Sequence, residues 1–434
     1  MNDEDLNNKT VSIKTLGCKL NFAESATIEQ HLAMQGFTIV HGDSCADVYI
    51  INTCAVTETA ERKCRQMINH LHILNPAAKI VLVGCYSALE QAQTLISEVD
   101  MILGSHNKMQ ILKSIRNLFD SPFSPLADAD EDEDSFFSSY SLHERTRSFL
   151  KIQDGCDYHC SYCTVCIARG KSRSDSIEHV IDNARKIVAG GIKEIVLSGV
   201  NIGDFKVNRQ PAFLHLLQQL VQVDGLERIR ISSIEPDLLS DEIIGFAAEH
   251  KQILPHFHIP LQSGNNRILA LMRRRYQREL FARKASYIKQ LMPHACIAAD
   301  VITGFPTETE EDFMDTCHFI ADTPVNMLHV FPYSRRPHTI AAAMEGQVEQ
   351  AVKNKRTKLL ISLSDSKKKQ FYAQHQGQCF SALIEHKKEN GCLFGFTENY
   401  IKVKVDARLH LEGQIITARL MDTDVDGIYN IKIV

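Results

Sequence analysis

Between residues 10 and 118, apolar strand patterns at 11–16, 47–52 and 79–83 alternate with helical patterns at 24–35 and 58–74. The strands recur roughly every 30 to 36 residues, the size of a βαβ unit. A chain with that rhythm must bury its strands in a parallel sheet covered by helices. The alternation resumes from 145 to about 340, with strands predicted at 149–153, 194–199, 228–234, 257–261, 295–303 and 327–331. Six repeats of one theme predict a closed or partly closed parallel barrel, an open doubly wound sheet being the alternative.

The last stretch changes character. Five short strand patterns (379–385, 393–397, 401–405, 414–420 and 428–433) are punctuated by Gly391, Gly413 and Gly427. They suit a small OB-like barrel, which at this size leans on its neighbour for stability. Residues 120–144 combine prolines, an acidic run and a serine-rich stretch, and read as a flexible linker. The predicted organisation is an α/β chain. A Rossmann-like parallel-sheet domain covers 1–119 and a linker 120–144. A partial (βα)6 barrel covers 145–370 and an all-β domain 371–434.

The net charge of −5 misleads about partners. Residues 128–134 hold six acids in seven, and outside them 47 acidic residues face 48 basic ones. Basic charge is concentrated at 273–284 and 351–370, which suits a polyanion; solvated helix faces are the plain alternative. No apolar run approaches the roughly 18 residues that span a bilayer, and residues 1–10 lack a signal-peptide pattern. The expectation is a cytoplasmic protein away from membranes, and no motif marks an oligomer, so a monomer is expected. In that compartment the 13 cysteines are metal ligands, reactive thiols or small buried residues rather than disulfides.

Two cysteine sets stand out. Cys156, Cys160 and Cys163 form Cys-x3-Cys-x2-Cys on the loop after the first barrel strand, the end where barrel active sites are built. Three thiolates can hold three irons of a 4Fe-4S cluster and leave the fourth open; zinc fits less well unless His159 joins. Cys18, Cys54 and Cys85 are far apart in sequence, yet each follows a strand of the first domain by one or two residues. Strand C-termini line the ligand crevice of a parallel sheet, so three thiols there can converge. The alternative is three small buried residues.

The Cys156–Cys160–Cys163 loop, with Tyr162 before its last cysteine, resembles the radical S-adenosylmethionine (SAM) superfamily. That resemblance implies a cluster whose open iron chelates SAM, and cleavage of SAM to a 5′-deoxyadenosyl radical. Thr15–Asn21, Asn52–Thr57 and Gly84–Tyr86 resemble the N-terminal domain of methylthiotransferases, in which Cys18, Cys54 and Cys85 would bind a second 4Fe-4S cluster. Gly395–Tyr400 is similar to that family's terminal RNA-binding TRAM domain. Gly17–Asn21, Ser232–Pro236, Met272–Tyr276 and Phe331–Pro337 fit the members acting on threonylcarbamoyl-adenosine in tRNA better than those acting on isopentenyl-adenosine or on a ribosomal-protein aspartate.

The implied product is the 2-methylthio derivative at tRNA position 37, made with an external electron donor and a sulfur source. A non-catalytic zinc-containing RNA-binding protein is the distant alternative. By the same resemblance Tyr162, Ser198, Gly199, Glu235, Gln262 and Ser263 shape the SAM pocket, against a plain reading as loop and turn residues. Arg273, Arg274, Arg275, Lys367, Lys368, Lys369, Lys402 and Lys404 are candidate RNA contacts. Phe396 and Tyr400 are either base-stacking rings or core. Three residues depart from the family pattern: Cys166 replaces a proline, and Thr307 and His338 each replace a glycine.

Overall fold

The computed structural model describes residues 9–54, 58–105, 108, 111, 114–115, 118, 136–142 and 146–434. Strands β1 (Thr10–Thr15), β2 (Thr38–Ile39), β3 (Val48–Thr53), β4 (Lys79–Gly84) and β5 (Met101–Leu103) form a parallel sheet in the order β2-β1-β3-β4-β5. The two central strands are apolar almost throughout because helices cover both faces. Tyr49, Ile51, Ile80 and Leu82 pack on Cys64, Ile68 and Leu71 of the helix Glu58–Leu74. Val48, Ile50, Val81 and Val83 pack with Ile28 and Leu32 of the helix Lys19–Met34. That helix starts at Cys18, earlier than the sequence suggested. Its first turns bury Asn21, Glu24 and Ser25, so they carry no apolar stripe.

The expected linker is partly replaced by structure. Ser139–Tyr140 forms β6, which pairs antiparallel with β7 (Arg147–Lys151), and Tyr140 exchanges hydrogen bonds with Thr27. Residues 120–135 and 143–144 lie outside the described residues.

Two short antiparallel pairs follow in the loops, β8 (Gln153–Asp154) with β9 (Arg173–Ser174) and β11 (Lys206–Val207) with β12 (Gln210–Pro211). The large parallel strands are β7, β10 (Glu194–Ser198), β13 (Arg228–Ile231), β14 (His256–His258), β15 (Cys296–Thr303) and β16 (Met327–Pro332). They make two sheets, β13-β10-β7-β6 and β14-β15-β16, joined by parallel bridges Ile229–Ile253 and Ser233–His258. The result is a partial barrel. Side chains alternate in and out: Ile195, Leu197, Ile229, Ile231, Phe257, Ile297 and Val301 face the helices. Many of the inner positions between them are polar, including Lys151, Arg228, Arg230, His256, His258, Asp300 and His329. Phe22 and Ala23 of the helix Lys19–Met34 pack on Phe149 and Val196. The first domain therefore leans against the inner wall of the barrel.

After the helix Gln350–Gln374, strands β17 (Cys379–Glu389), β18 (Cys392–Thr397), β19 (Lys402–Asp406), β20 (Ile415–Thr423) and β21 (Tyr429–Ile433) close a five-stranded barrel ordered β17-β18-β19-β21-β20. It docks on the N-terminal ends of the parallel strands. Arg147 pairs with Glu385 at 2.7 Å, and Arg228 donates to the Ser381 carbonyl at 2.7 Å. Asn399 donates to the His294 carbonyl at 3.0 Å.

Candidate active site

Each of the cysteines 18, 54 and 85 sits just past a C-terminal strand end, and the loops carrying them touch. Gly17 has φ +121°, and a Cβ there would lie 2.8 Å from Cys54 Cβ and 3.3 Å from its Sγ. Only glycine lets the first loop lie flat on the second. The Cys85 amide donates to the Thr53 carbonyl at 3.1 Å. Asn21 Nδ2 donates to the carbonyls of Leu16 and Thr53, both at 2.9 Å, tying the Cys18 loop to the Cys54 loop. Arg169 completes the set: its Nη2 donates to Asn21 Oδ1 at 2.7 Å and its Nε lies 3.0 Å from Cys85 Sγ.

Sequence reasoning missed Arg169. It ends the short helix Val165–Arg169 that begins just after Cys163, so one turn of helix links the two thiol sets. Its guanidinium is buried with Glu24 (3.0 Å) and Asp154 (2.9 Å), and Lys151 pairs with the same two carboxylates at 2.9 and 2.7 Å. Lys108 also bonds Glu24. Burial alone would raise the Glu24 and Asp154 carboxyls, but these cations, Arg169 foremost, hold both far below the usual range. The available signal was the placement of Arg169 six residues after the last cysteine of the loop; its partners come from three distant segments.

On the barrel side, Cys156, Cys160 and Cys163 occupy one loop. The Val165 amide donates to Cys163 Sγ at 3.4 Å, and Arg274 Nη1 lies 3.1 Å from Cys160 Sγ. Cys166, which stands where the family pattern has proline, hydrogen-bonds with Cys156. That bond raises the Cys156 thiol and brings Cys166 down to about 6. Burial pushes Cys163 up to about 12 and raises Cys160 and Cys85.

Both trios have the donor chemistry of an iron–sulfur site. None of the thirteen cysteines is in a disulfide. Thiolates suit iron, and a backbone amide and a cation beside the sulfurs offset the negative charge of a thiolate-ligated cluster. Loading iron there must release the thiol protons that burial retains.

A cavity of about 260 Å³ opens beside the second trio, lined by Tyr162, Cys163, Gln262, Asp300, Phe331 and Tyr333 among others. Tyr162 and Gln262, two of the residues expected around SAM, line this cavity. Gln262 holds φ +63°, a strained backbone locked by its amide bond to the Asp300 carbonyl at 2.8 Å. Glu235 pairs with Arg274 beside Cys160, and burial raises its carboxyl. The other three expected residues are not among those lining the cavity. Ser263 is buried and turned to Thr316 at 3.2 Å, and Ser198 bonds the Val196 carbonyl at 3.2 Å. Gly199 serves close packing, since a Cβ there would meet Gln153 and Ile202 at about 3 Å.

The RNA candidates also divide. Arg274 lies against the cluster loop, with a side chain 3% exposed and paired with Glu235. Phe396 and Tyr400 stack on each other at 4.7 Å, and Tyr400 stacks on His256 at 4.3 Å. The Arg147 guanidinium lies over the Phe396 ring and that of Arg230 near the Tyr400 ring, so both rings are packed at the barrel floor. Lys404 is paired with Asp424 at 2.6 Å, and Lys367 is bonded to the carbonyls of Ala321 and Thr323. Lys368 and Lys402 lie over the rings of Tyr372 and Phe394. Arg275 donates to the Asp157 carbonyl and stacks on Tyr158 but remains exposed, as do Arg273 and Lys369.

Deeper in the lumen, His258, Asp300 and His329 bring one ligand-type atom each within 4.8 Å of one another. Asp300 and His258 bond at 2.8 Å. Lys19, next to Cys18, faces this group; enclosure by protein, with Arg147 and Arg230 near, brings it down to about 8. No helix among the described residues is long and apolar enough to cross a membrane.

Residues 10–104 match the model of the uncharacterized protein family UPF0004, and residues 150–320 match the radical SAM superfamily. The chain is 38% identical to the threonylcarbamoyladenosine tRNA methylthiotransferase MtaB of Bacillus subtilis, over 95% of this chain and 94% of that protein. It is 34% identical to the tRNA-2-methylthio-N(6)-dimethylallyladenosine synthase of Aquifex aeolicus, over 90% of each. Among solved structures it is similar in fold to the radical SAM methyltransferase TsrM of Kitasatospora setae, with a TM-score of 0.56 at 13% identity over 77% of each chain. The two family segments fall on the two thiol-bearing domains, relatives align over nearly the whole length, and on that ground the chain belongs to the radical SAM tRNA methylthiotransferases, enzymes that use SAM and 4Fe-4S chemistry.

Proposed function

We propose that this enzyme methylthiolates C2 of N6-threonylcarbamoyladenosine at position 37 of tRNA, in the cytoplasm, with two 4Fe-4S clusters. Cys156, Cys160 and Cys163 would hold the SAM-binding cluster, and Cys18, Cys54 and Cys85 the auxiliary one. The observation that carries this reading is the link through Arg169, which sets both trios against one buried network. When bound, the clusters and SAM supply the one-electron reduction and the sulfur and methyl groups that acid–base chemistry is unable to deliver to an aromatic C–H.

The chain's own residues position and enclose. Arg274 and Arg169 place positive charge beside Cys160 and Cys85. Tyr162, Phe331 and Tyr333 wall the cavity and exclude water from a radical. Holding two reactive centres on either side of one base makes proximity the main contribution of the fold. Arg273, Arg275 and Lys369, with Lys355 and Lys358 of the helix Gln350–Gln374, are exposed cations available to phosphates.

Mass spectrometry of tRNA nucleosides from a deletion strain tests the substrate. The methylthio mark on threonylcarbamoyladenosine is expected to vanish, to return with the wild-type chain and to stay absent with Cys54→Ala. Purified Cys54→Ala is expected to lose about half of roughly eight irons. Loss of the mark on isopentenyl-adenosine instead would assign the other substrate.

A further inference from the structure

Lys19 starts the helix Lys19–Met34. Residues i, i+3 and i+4 share a helix face, and here they are Lys19, Phe22 and Ala23. Phe22 and Ala23 rest on Phe149 and Val196 of the inner barrel wall, so Lys19 points into the lumen. It lies within electrostatic range of Arg147, Arg230 and Asp300, and His256 and His329 also feel its charge. Among the described residues it forms neither a hydrogen bond nor a salt bridge, and it stays accessible to solvent. Farther in, Arg230 Nη2 and His256 Nδ1 are buried without a partner among those residues.

The charged groups around Lys19 are mostly answered elsewhere. Arg228 and Arg230 pair with Glu194, Arg147 with Glu385, and Asp300 with His258. A metal ion at His258, Asp300 and His329 would sit beside Lys19 and Arg230, so like charge disfavours it. An apolar substituent would fare badly too, because it would strip water from an unpaired ammonium and from imidazoles without replacing those bonds. An anion with further hydrogen-bonding groups fits both demands.

We propose that the lumen beside Cys18 receives the carboxylate of the substrate's N6 substituent, with Lys19 as the cation that binds it. This rests on the substrate reading above. On adenine, C2 and C6 flank N1 and N6 is borne on C6, so the C2 hydrogen and the N6 group lie on the same edge of the base. With C2 presented between the thiol trios, the N6 group extends into the space that Lys19 faces. Asp300, His258 and His329 are then placed to meet the carbamoyl and hydroxyl groups. Lys19 is thus a specificity residue: it selects a charged N6 group over an apolar one, because an apolar group displaces water from the ammonium without answering its charge.

The test uses the reconstituted full chain and anticodon stem-loop RNAs bearing N6-threonylcarbamoyladenosine, its methyl ester, or isopentenyl-adenosine. Both kcat/KM for methylthiolation and the RNA dissociation constant without SAM are measured, with iron content as a check on loading. Lys19→Gln is expected to lose roughly tenfold to a hundredfold on the acid in both readouts, to match wild type on the ester, and to keep its iron. Lys19→Arg is expected to retain most of the acid's advantage. Equal losses on acid and ester, or no loss at all, would overturn the assignment. Wild-type activity on the isopentenyl RNA with none on the acid would overturn the substrate reading first, and the two failures are told apart by the wild-type row alone.

Discussion

At the residue scale, two side chains stand where the backbone asks for none. Thr307 holds φ +66° and His338 φ +64°, in loops after β15 and β16. A left-handed conformation costs a non-glycine residue about 1–2 kcal/mol, most for a β-branched one. The Thr307 amide is nonetheless used, donating to the Gly346 carbonyl at 2.8 Å, and its carbonyl accepts from Arg267 at 2.8 Å. Those backbone bonds survive a change of side chain. Thr307→Gly is therefore expected to stabilise the chain by about 1 kcal/mol, the strain relieved less the added freedom of the unfolded glycine. A thermal melt that rises for Thr307→Gly and not for an exposed threonine elsewhere would bear this out; an unchanged or lower melting temperature would mean the loop gains from the threonine methyl, which packs near Gly346.

At the element scale, the helix Lys19–Met34 joins sheet, lumen and site, and its central residue is Glu24. The Glu24 carboxylate is wholly buried among Lys108, Lys151 and Arg169, and its pKa is lowered. A depressed carboxyl contributes stability that is complete above the unfolded-state value, about 4.3, and is lost as pH falls through the folded-state value. Urea unfolding midpoints are therefore expected to fall steeply below about pH 4.5 in the wild type. Glu24→Gln is expected to lose about 3–5 kcal/mol at neutral pH, because three cations are left in a closed space, and to show a flatter acid limb. A variant with the wild-type acid slope would assign that slope to other carboxylates.

This helix also marks how far sequence reading reaches. The strands were legible because burial on both faces writes itself as runs such as Val48–Thr53. The six barrel strands, the five-stranded C-terminal barrel and the meeting of the Cys18, Cys54 and Cys85 loops follow from the same rule and from strand register. The first turns of the helix were not legible, since a face that buries Asn21, Glu24 and Ser25 has no apolar period. Arg169 and Lys19 were passed over for a related reason: the groups around them are gathered by tertiary contacts, Glu24 for instance lying 145 residues before Arg169. Arg274 was read as a surface cation because three arginines in a row look solvated, yet the turn at Arg273, with φ +57°, sends its neighbour inward to Cys160 and Glu235.

At the scale of the whole molecule, the C-terminal barrel and the cluster loops lie at opposite ends of the parallel strands. Arg147, Glu194 and Arg228 sit at strand starts and face the C-terminal barrel, while Cys156 and Gln262 follow strand ends. Phe396 and Tyr400 fill the floor between Arg147, Arg230 and His256. If these rings serve the floor, replacing a ring by an apolar chain of similar size should trouble folding more than RNA binding. Tyr400→Leu loses a stack on His256 and a cation–π contact with Arg230, together about 1–3 kcal/mol. It is expected to lower the urea midpoint and speed proteolysis between 371 and 379, while its affinity for tRNA stays within about twofold of wild type at moderate salt. A base-stacking role predicts the reverse, since removing such a ring costs about 1–3 kcal/mol of binding, or roughly tenfold and more in affinity. Folded Tyr400→Leu chain with tenfold weaker tRNA binding would move the RNA path to the docked end of the barrel, whereas a loss confined to variants of Lys355, Lys358 and Lys369, steepening with salt, keeps it on the exposed face of the long helix.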